Sequence, residues 1–230
     1  MIYKDFTFII PAAGKSTRFK SRKSKIFFKY KNKMLLSHII EKSLRFTKNI
    51  IIISNQKNYK RIKKILKLYK SDEIKIFIQK KQLGMGDAVN LALDNVKTKY
   101  ACIMWSDQLY LSKTTMKNTI NHFLKKNPIL CFPVYKKRFP YVYVIRDRTG
   151  NFDDIIQSRE TNIKPEVGES DCGFFVIKSS IVKNKKKYLI KRNLIITSKT
   201  KEIDFLKSFK YLKKIGNIHL TSSKNYKDAI

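Results

Sequence analysis

Short runs of continuous apolar residues alternate with stretches whose apolar residues recur three and four positions apart. That alternation restricts the chain to a mostly parallel sheet with helices on both faces. Phe6–Ile10 is the first such run, stopped at once by Pro11. Leu35, Leu36, Ile39, Ile40 and Leu44 follow at helical spacing, and Ile50–Ile53 forms the next strand. Ile62, Ile65, Leu66 and Tyr69 mark a second helix, Ile74–Ile78 a third strand and Asp87–Val96 a third helix. Tyr100–Trp105 ends a fourth strand at Ser106-Asp107, and Thr114–Lys126 is its helix. The pattern then changes. Ile129–Val134, Tyr141–Ile145, Phe152–Gln157 and Gly173–Ile177 read as four strands, with a hairpin turn at Thr149-Gly150-Asn151. A helix is expected over Ile203–Leu212 and a last strand over Asn217–Leu220. With no linker-like tract and no internal repeat, the 230 residues are expected to form one domain, with a βα half (1–126) and a β-richer half (127–230) that completes its site.

Composition narrows the class. At 43% hydrophobic residues the chain can build a core, and no apolar run approaches the ~18 residues that cross a bilayer. The start, MIYKDFTF, carries an acid where a secretory signal would be basic, and the three cysteines have no CxxC spacing. A cytoplasmic chain with reduced thiols, no membrane and neither disulfide frame nor zinc site is expected. The net charge is +34, yet only nine of the 51 basic residues are Arg, and the Lys is spread over the whole length. Base readers concentrate Arg on one element, so a solvated, lysine-coated surface is expected and a nucleic-acid partner is not. So positive a field would still draw an anionic substrate toward a cleft.

Four segments carry the chemistry. Ala12-Ala13-Gly14-Lys15-Ser16-Thr17-Arg18 follows the first strand directly. Small residues there permit close backbone approach, and free N–H groups at such a turn bind phosphate oxygens. The spacing matches neither a Walker A loop nor GxGxxG, so alone it is also compatible with an ordinary basic turn. Gln79 to Ala88 joins the third strand to its helix, offering amides at Gln79 and Gln82 for a base edge and glycines at Gly84 and Gly86. Asp107 stands at the carboxyl edge of the fourth strand, where open α/β sheets place ligands, although a turn or cap would also use an Asp. Glu169-Ser170-Asp171-Cys172-Gly173 enters a strand of the second half. His38, His122, Cys102 and Trp105 are expected to pack or be solvated.

In this order and spacing the four segments resemble the nucleoside-triphosphate transferase family. They are most similar to sugar-1-phosphate nucleotidyltransferases, in particular the pyrophosphorylase domain of N-acetylglucosamine-1-phosphate uridylyltransferase. The family loop AAGxGTRMxxxxPK appears as Ala12 to Phe19 followed by Ser24-Lys25, with Ser16 for a glycine and Ser24 for the proline. The base-reading QxxQxGTGHA appears as Gln79 to Ala88, with Met85 and Asp87 substituted. The metal-binding GD appears as Ser106-Asp107, and the NTG of the sugar site as Asp171-Cys172-Gly173. The resemblance spans about residues 6 to 177 and implies a Rossmann-like α/β/α sandwich, with 1–126 binding nucleotide and 127–230 the acceptor.

It further implies a Mg²⁺-dependent enzyme that moves a nucleotidyl group from an NTP, UTP favoured, to a sugar 1-phosphate. Arg18 and Lys25 are the implied catalytic cations. Ala12, Ala13, Gly14, Lys15, Ser16, Thr17, Gln79, Gln82, Gly84 and Met85 are implied at the nucleotide, Asp107 at the metal, and Gln157 and Asp171 at the acceptor. The family's second metal ligand has His219 or Asn225 as its candidates. No acetyltransferase β-helix domain follows in these residues, so the bifunctional activity of some members is not expected. Two alternatives stand beside this expectation: a cytidylyltransferase acting on a polyol or choline-type phosphate, and a non-catalytic, polyanion-binding relative.

Overall fold

The computed structural model describes all residues except 1, 15–23, 70–72, 159, 162, 164, 184–195, 198 and 230. Strands β1 (Phe6–Pro11), β4 (Ile50–Asn55), β5 (Ile74–Gln79) and β6 (Tyr100–Met104) pair in parallel in the order β5-β4-β1-β6. Strands β1, β4 and nearly all of β6 are buried on both faces, which is why they read as unbroken apolar runs, whereas β5 at the edge is only partly covered and carries Lys75. Phe6, Phe8, Ile10, Ile50 and Ile52 enter one core layer, while Ile9, Ile51 and Ile53 enter the other.

Helices α1 (Leu35–Leu44), α2 (Gln56–Leu66) and α4 (Lys113–Lys126) cover the first layer through Leu36, Ile39, Ile62, Ile65, Ile120 and Phe123. Helix α3 (Met85–Leu93) covers the second with Ala88, Val89 and Ala92. The chain thus steps outward from β1 to β5, then returns on the opposite face to place β6 on β1's other side. A crevice opens where strand order reverses, beyond the carboxyl ends of β1 and β6. A two-strand ribbon that the sequence did not reveal, β2 (Lys29–Tyr30) with β3 (Lys33–Met34), turns through Lys31 and Asn32, both at positive φ.

The second half extends the same sheet. Strand β11 (Phe174–Lys178) pairs antiparallel with β6, and the order continues through β7 (Leu130–Arg138), β10 (Val167–Asp171) and β8 (Val142–Arg146) to β9 (Phe152–Gln157). Strand β12 (Ile218–Ser222) lies parallel to β7. The expected hairpin at Gly150 joins β8 to β9, with Gly150 at φ +83°.

Two expectations are corrected. Asp171 does not open the strand that holds Gly173; it ends a separate strand, β10, paired with a β7 that runs four residues further than expected. The polar pattern Val-Gly-Glu-Ser-Asp hides this strand, whose pairing places Glu169 opposite Lys136. Nor is Ile203–Leu212 one helix: only Leu206–Ser208 and Phe209–Leu212 are helical turns. Ile203 is withheld because its N–H bonds the Leu83 carbonyl at 2.6 Å and its carbonyl accepts from Gly86 N–H at 2.8 Å.

Candidate active site

Three strand ends build the predicted nucleotide side. Ala12 N–H bonds the Ile53 carbonyl at 2.7 Å, carrying β1 one residue beyond its apolar run. The Ala13 carbonyl then accepts Asn55 Nδ2 at 3.0 Å and Gln82 Nε2 at 2.6 Å, drawing the loops after β1, β4 and β5 together. Asn55 also caps α2, its Oδ1 accepting Asn58 N–H at 2.9 Å. Between these loops lies a cleft of about 460 Å³ lined by Gly14, Ser24, Asn55, Asn58, Gln79 and Gln82. That volume lies in the range of small-ligand sites.

The Gln79 amide nitrogen is committed to the loop itself, donating to the Gly84 carbonyl at 3.1 Å and Asp87 Oδ2 at 2.8 Å. Gly84 sits at φ +111°, and a Cβ there would lie 2.7 Å from the Ile203 carbonyl oxygen. Met85 begins α3 and is exposed. Of the predicted phosphate-binding residues, Lys15, Ser16, Thr17 and Arg18 lie outside the described residues.

On the reaction side, Lys25 lies in the helical turn Lys25–Phe27, and its ammonium is ion-paired with Asp107 Oδ2. The two residues are 82 positions apart and both remain solvent-accessible, with Asp107 43% exposed. Trp105, just before them, packs on Phe175 and Phe205 as expected. The Asp107 loop has no ladder partners of its own. It is held by Lys42 Nζ on the carbonyls of Gln108, Leu109 and Leu111 at 3.1, 2.8 and 2.7 Å, and by Gln108 Nε2 on the Cys172 carbonyl at 2.7 Å. Burial pulls the Lys42 ammonium down to about 8, with Asp228 opposing the shift.

A divalent cation fits the chemistry of this donor set. Among the described residues no group of three or more His, Cys, Asp or Glu could hold a metal. Mg²⁺, however, keeps most of its waters and needs only one or two carboxylates beside substrate phosphates. Asp107 already accepts a cation, the Lys25 ammonium, on its Oδ2. Of the candidate second ligands, Asn225 follows β12 at the carboxyl edge, with its amide nitrogen on Asp228 Oδ1 at 3.1 Å. His219 stands in the body of β12, 3.1 Å from His122 of α4. It shares a row with Cys131, Val176 and Cys102, five residues short of Asp107, or about 16 Å along the strands.

Register gathers the predicted acceptor residues. Val134 pairs with Asp171, and Val142 with Gln157, placing both predicted acceptor residues toward the crevice end of the extended sheet. Asp171 is buried, its Oδ1 accepts Gly173 N–H at 2.7 Å, and burial raises its carboxyl to about 6 against that hydrogen bond. Gln157 Nε2 donates to Asp204 Oδ2 at 2.5 Å, while Asp204 Oδ1 caps the Leu206 N–H at 2.9 Å. Asp204 was not foreseen; it lies with Glu202 in an otherwise basic stretch, and only the tertiary structure brings it to Gln157. Asn55 was legible in principle, as an N-cap type between strand and helix. Lys42 carried no signal among 42 lysines.

A family model described as the MobA-like NTP transferase domain matches residues 8–163. The bifunctional protein GlmU of Caldicellulosiruptor saccharolyticus is 25% identical over 180 residues, covering 75% of this chain and 38% of that protein. GlmU of Buchnera aphidicola subsp. Schizaphis graminum is 29% identical over 167 residues, or 67% of this chain and 35% of the relative. The chain therefore spans well under half the length of these curated relatives. A Bacillus anthracis structure described as a glucose-1-phosphate thymidylyltransferase superposes with a TM-score of 0.76 at 14% identity, over 96% of this chain and 88% of that one. The inositol-1-phosphate CTP transferase of T. maritima superposes with a TM-score of 0.71 at 15% identity, over 94% and 84%. Both share the mixed-sheet α/β fold.

Proposed function

The chain belongs to the MobA-like NTP transferase domain family, and from that premise we propose that it transfers a nucleotidyl group from an NTP, UTP favoured, to a sugar 1-phosphate. The products are an NDP-sugar and pyrophosphate. The observation that carries this reading is the Lys25–Asp107 pair at the switch-point crevice, beside the cleft of Gly14, Asn55 and Gln82. Anion and cation carriers from β6 and the β1 loop meet where a triphosphate entering that cleft would present its α-phosphorus.

The acceptor phosphate oxygen attacks the α-phosphorus in line, a new P–O bond forms, the α–β anhydride bond breaks, and pyrophosphate leaves. No covalent intermediate is needed, so the protein's work is positioning and charge neutralisation. Asp107 would hold a Mg²⁺ ion, whose chemistry there would be neutralisation of phosphate charge. Lys25 follows the charge that develops in transfer, with Lys15 and Arg18 on the β,γ-phosphates. Gln82, Gly84 and Gln79 border the base, and Ala12, Ala13, Gly14, Ser16, Thr17 and Met85 are the remaining nucleotide-binding residues. Gln157 and Asp171 face the acceptor, a phosphorylated sugar or polyol.

Pyrophosphate release, measured for each NTP with Mg²⁺ and a panel of sugar and polyol phosphates, tests the reading. UTP with a sugar 1-phosphate is expected to give the highest rate. CTP with a polyol phosphate would shift the base and acceptor assignment. No release with any pair, together with nucleic-acid binding that falls steeply with salt, would replace an enzyme by a polyanion-binding protein.

A further inference from the structure

Between the end of β6 at Met104 and the start of α4 at Lys113, the eight residues that carry Asp107 form no regular element. A loop of this kind normally leaves its carbonyls to water. Here three are taken by one ammonium from another helix. Lys42, on α1, directs its Nζ at the carbonyls of Gln108, Leu109 and Leu111, at 2.7 to 3.1 Å. A lysine has three donors and no acceptor, so these contacts use all of them. The far end of the loop is gripped by a second charge. Asp228, fully buried, accepts Ser112 N–H at 2.7 Å and Ser223 Oγ at 2.6 Å, and also holds Thr115 Oγ1.

A buried charge costs stability unless its hydrogen bonds are complete, and a methylene chain alone would have filled the space beside α1. The charge therefore has a local use. It fixes three of the four carbonyls immediately after Asp107, and through them the peptide planes that aim the Asp107 carboxylate.

We propose that Lys42 is a positioning residue that sets the Asp107 carboxylate for its divalent cation, with Asp228 anchoring the other end of the same loop. The proposal rests on the reading of Asp107 as metal ligand. Removing the ammonium frees the loop to rotate its peptides, so the cation loses a prearranged ligand while the nucleotide cleft, built from other strands, is unchanged.

The test is Mn²⁺ binding followed by electron paramagnetic resonance in the presence of a non-hydrolysable UTP analogue, with a melting curve for each variant. Wild type is expected to bind Mn²⁺ in the ternary complex, and its failure to do so would overturn the metal assignment and this proposal together. With binding in the wild type, Lys42→Met is expected to weaken Mn²⁺ about tenfold, and Lys42→Arg, which keeps charge and donors, about threefold or less. Turnover of Lys42→Met should fall through kcat and regain part of the loss at high Mg²⁺, with the KM for NTP nearly constant. Unchanged Mn²⁺ affinity in Lys42→Met, or equal weakening in both variants in step with melting temperature, would overturn the proposal. If Lys42→Met does not fold, Lys42→Gln carries the same test: it retains two donors on a shorter arm, is expected to weaken Mn²⁺ at least threefold, and overturns the proposal if it does not.

Discussion

The two halves of the sheet deliver site residues in different ways. In the parallel half four candidate residues sit at or just behind the end of their own strand: Gly14 after β1, Asn55 at the end of β4, Gln82 after β5, Asp107 after β6. In the antiparallel half Asp171, Gln157 and Asp204 come from separate segments and are gathered by strand register and by one carboxyl–amide bond. Parallel strands all present their carboxyl ends at one edge, so a short motif behind each strand suffices. Antiparallel strands alternate direction, so a residue's place depends on pairing with partners distant in the chain.

The sharpest test of that contrast is Asp107→Asn. A loop residue behind a parallel strand should be removable without disturbing the fold, and losing the cation's carboxylate should lower turnover at least a hundredfold. Pyrophosphate release above a tenth of the wild-type rate, at an unchanged melting temperature, would reject the role. Lys25→Ala comes next, with a fall of about ten- to a hundredfold in kcat, since its contact should strengthen as charge moves toward the leaving group. A change confined to the KM for NTP would make Lys25 a ground-state binder.

Asp171 probes the other half. With its carboxyl raised to about 6 from 3.8 by burial, the protonated form favours the fold, and that contribution is lost as pH rises through 6. Asp171→Asn keeps the oxygen that accepts Gly173 N–H, so chemical denaturation should show the variant gaining on wild type between pH 4 and 6. At neutral pH it should then be the more stable, while the KM for the acceptor rises about tenfold and that for NTP holds. Equal loss toward both substrates would leave Asp171 as a turn residue only.

The joint between the halves should matter less to chemistry and more to stability. Gly84→Ala must place a Cβ against the backbone of Ile203 at positive φ, and is expected to cost about 2 kcal/mol. Gly150→Ala meets open space and should cost about 1 kcal/mol, from its positive φ alone. Urea unfolding of the pair measures the difference, and equal costs would mean that the Leu83–Ile203 bonds do not tie the halves together.

What the amino-acid sequence by itself determined was whatever is encoded within a few residues. The doubly buried strands β1, β4 and β6 announce themselves as apolar runs, α1, α2 and α4 by their periodicity, and the Gly150 turn by its residue types. Asp107 and Lys25 were legible because each lies beside its strand or loop in a short motif. Tertiary structure alone decided the rest. Strand β10 has no apolar signature because its stability comes from pairing with β7, as in Glu169 opposite Lys136. Ile203 left its expected helix because two hydrogen bonds to the Gly84 loop outweigh one more helical turn. Lys42 and Asp228 look like any other surface charges in the sequence. Their meaning depends on three loop carbonyls and the cap residue Ser112, which meet these charges only after α1, α4 and the turn at Asp228 have closed around the Asp107 loop.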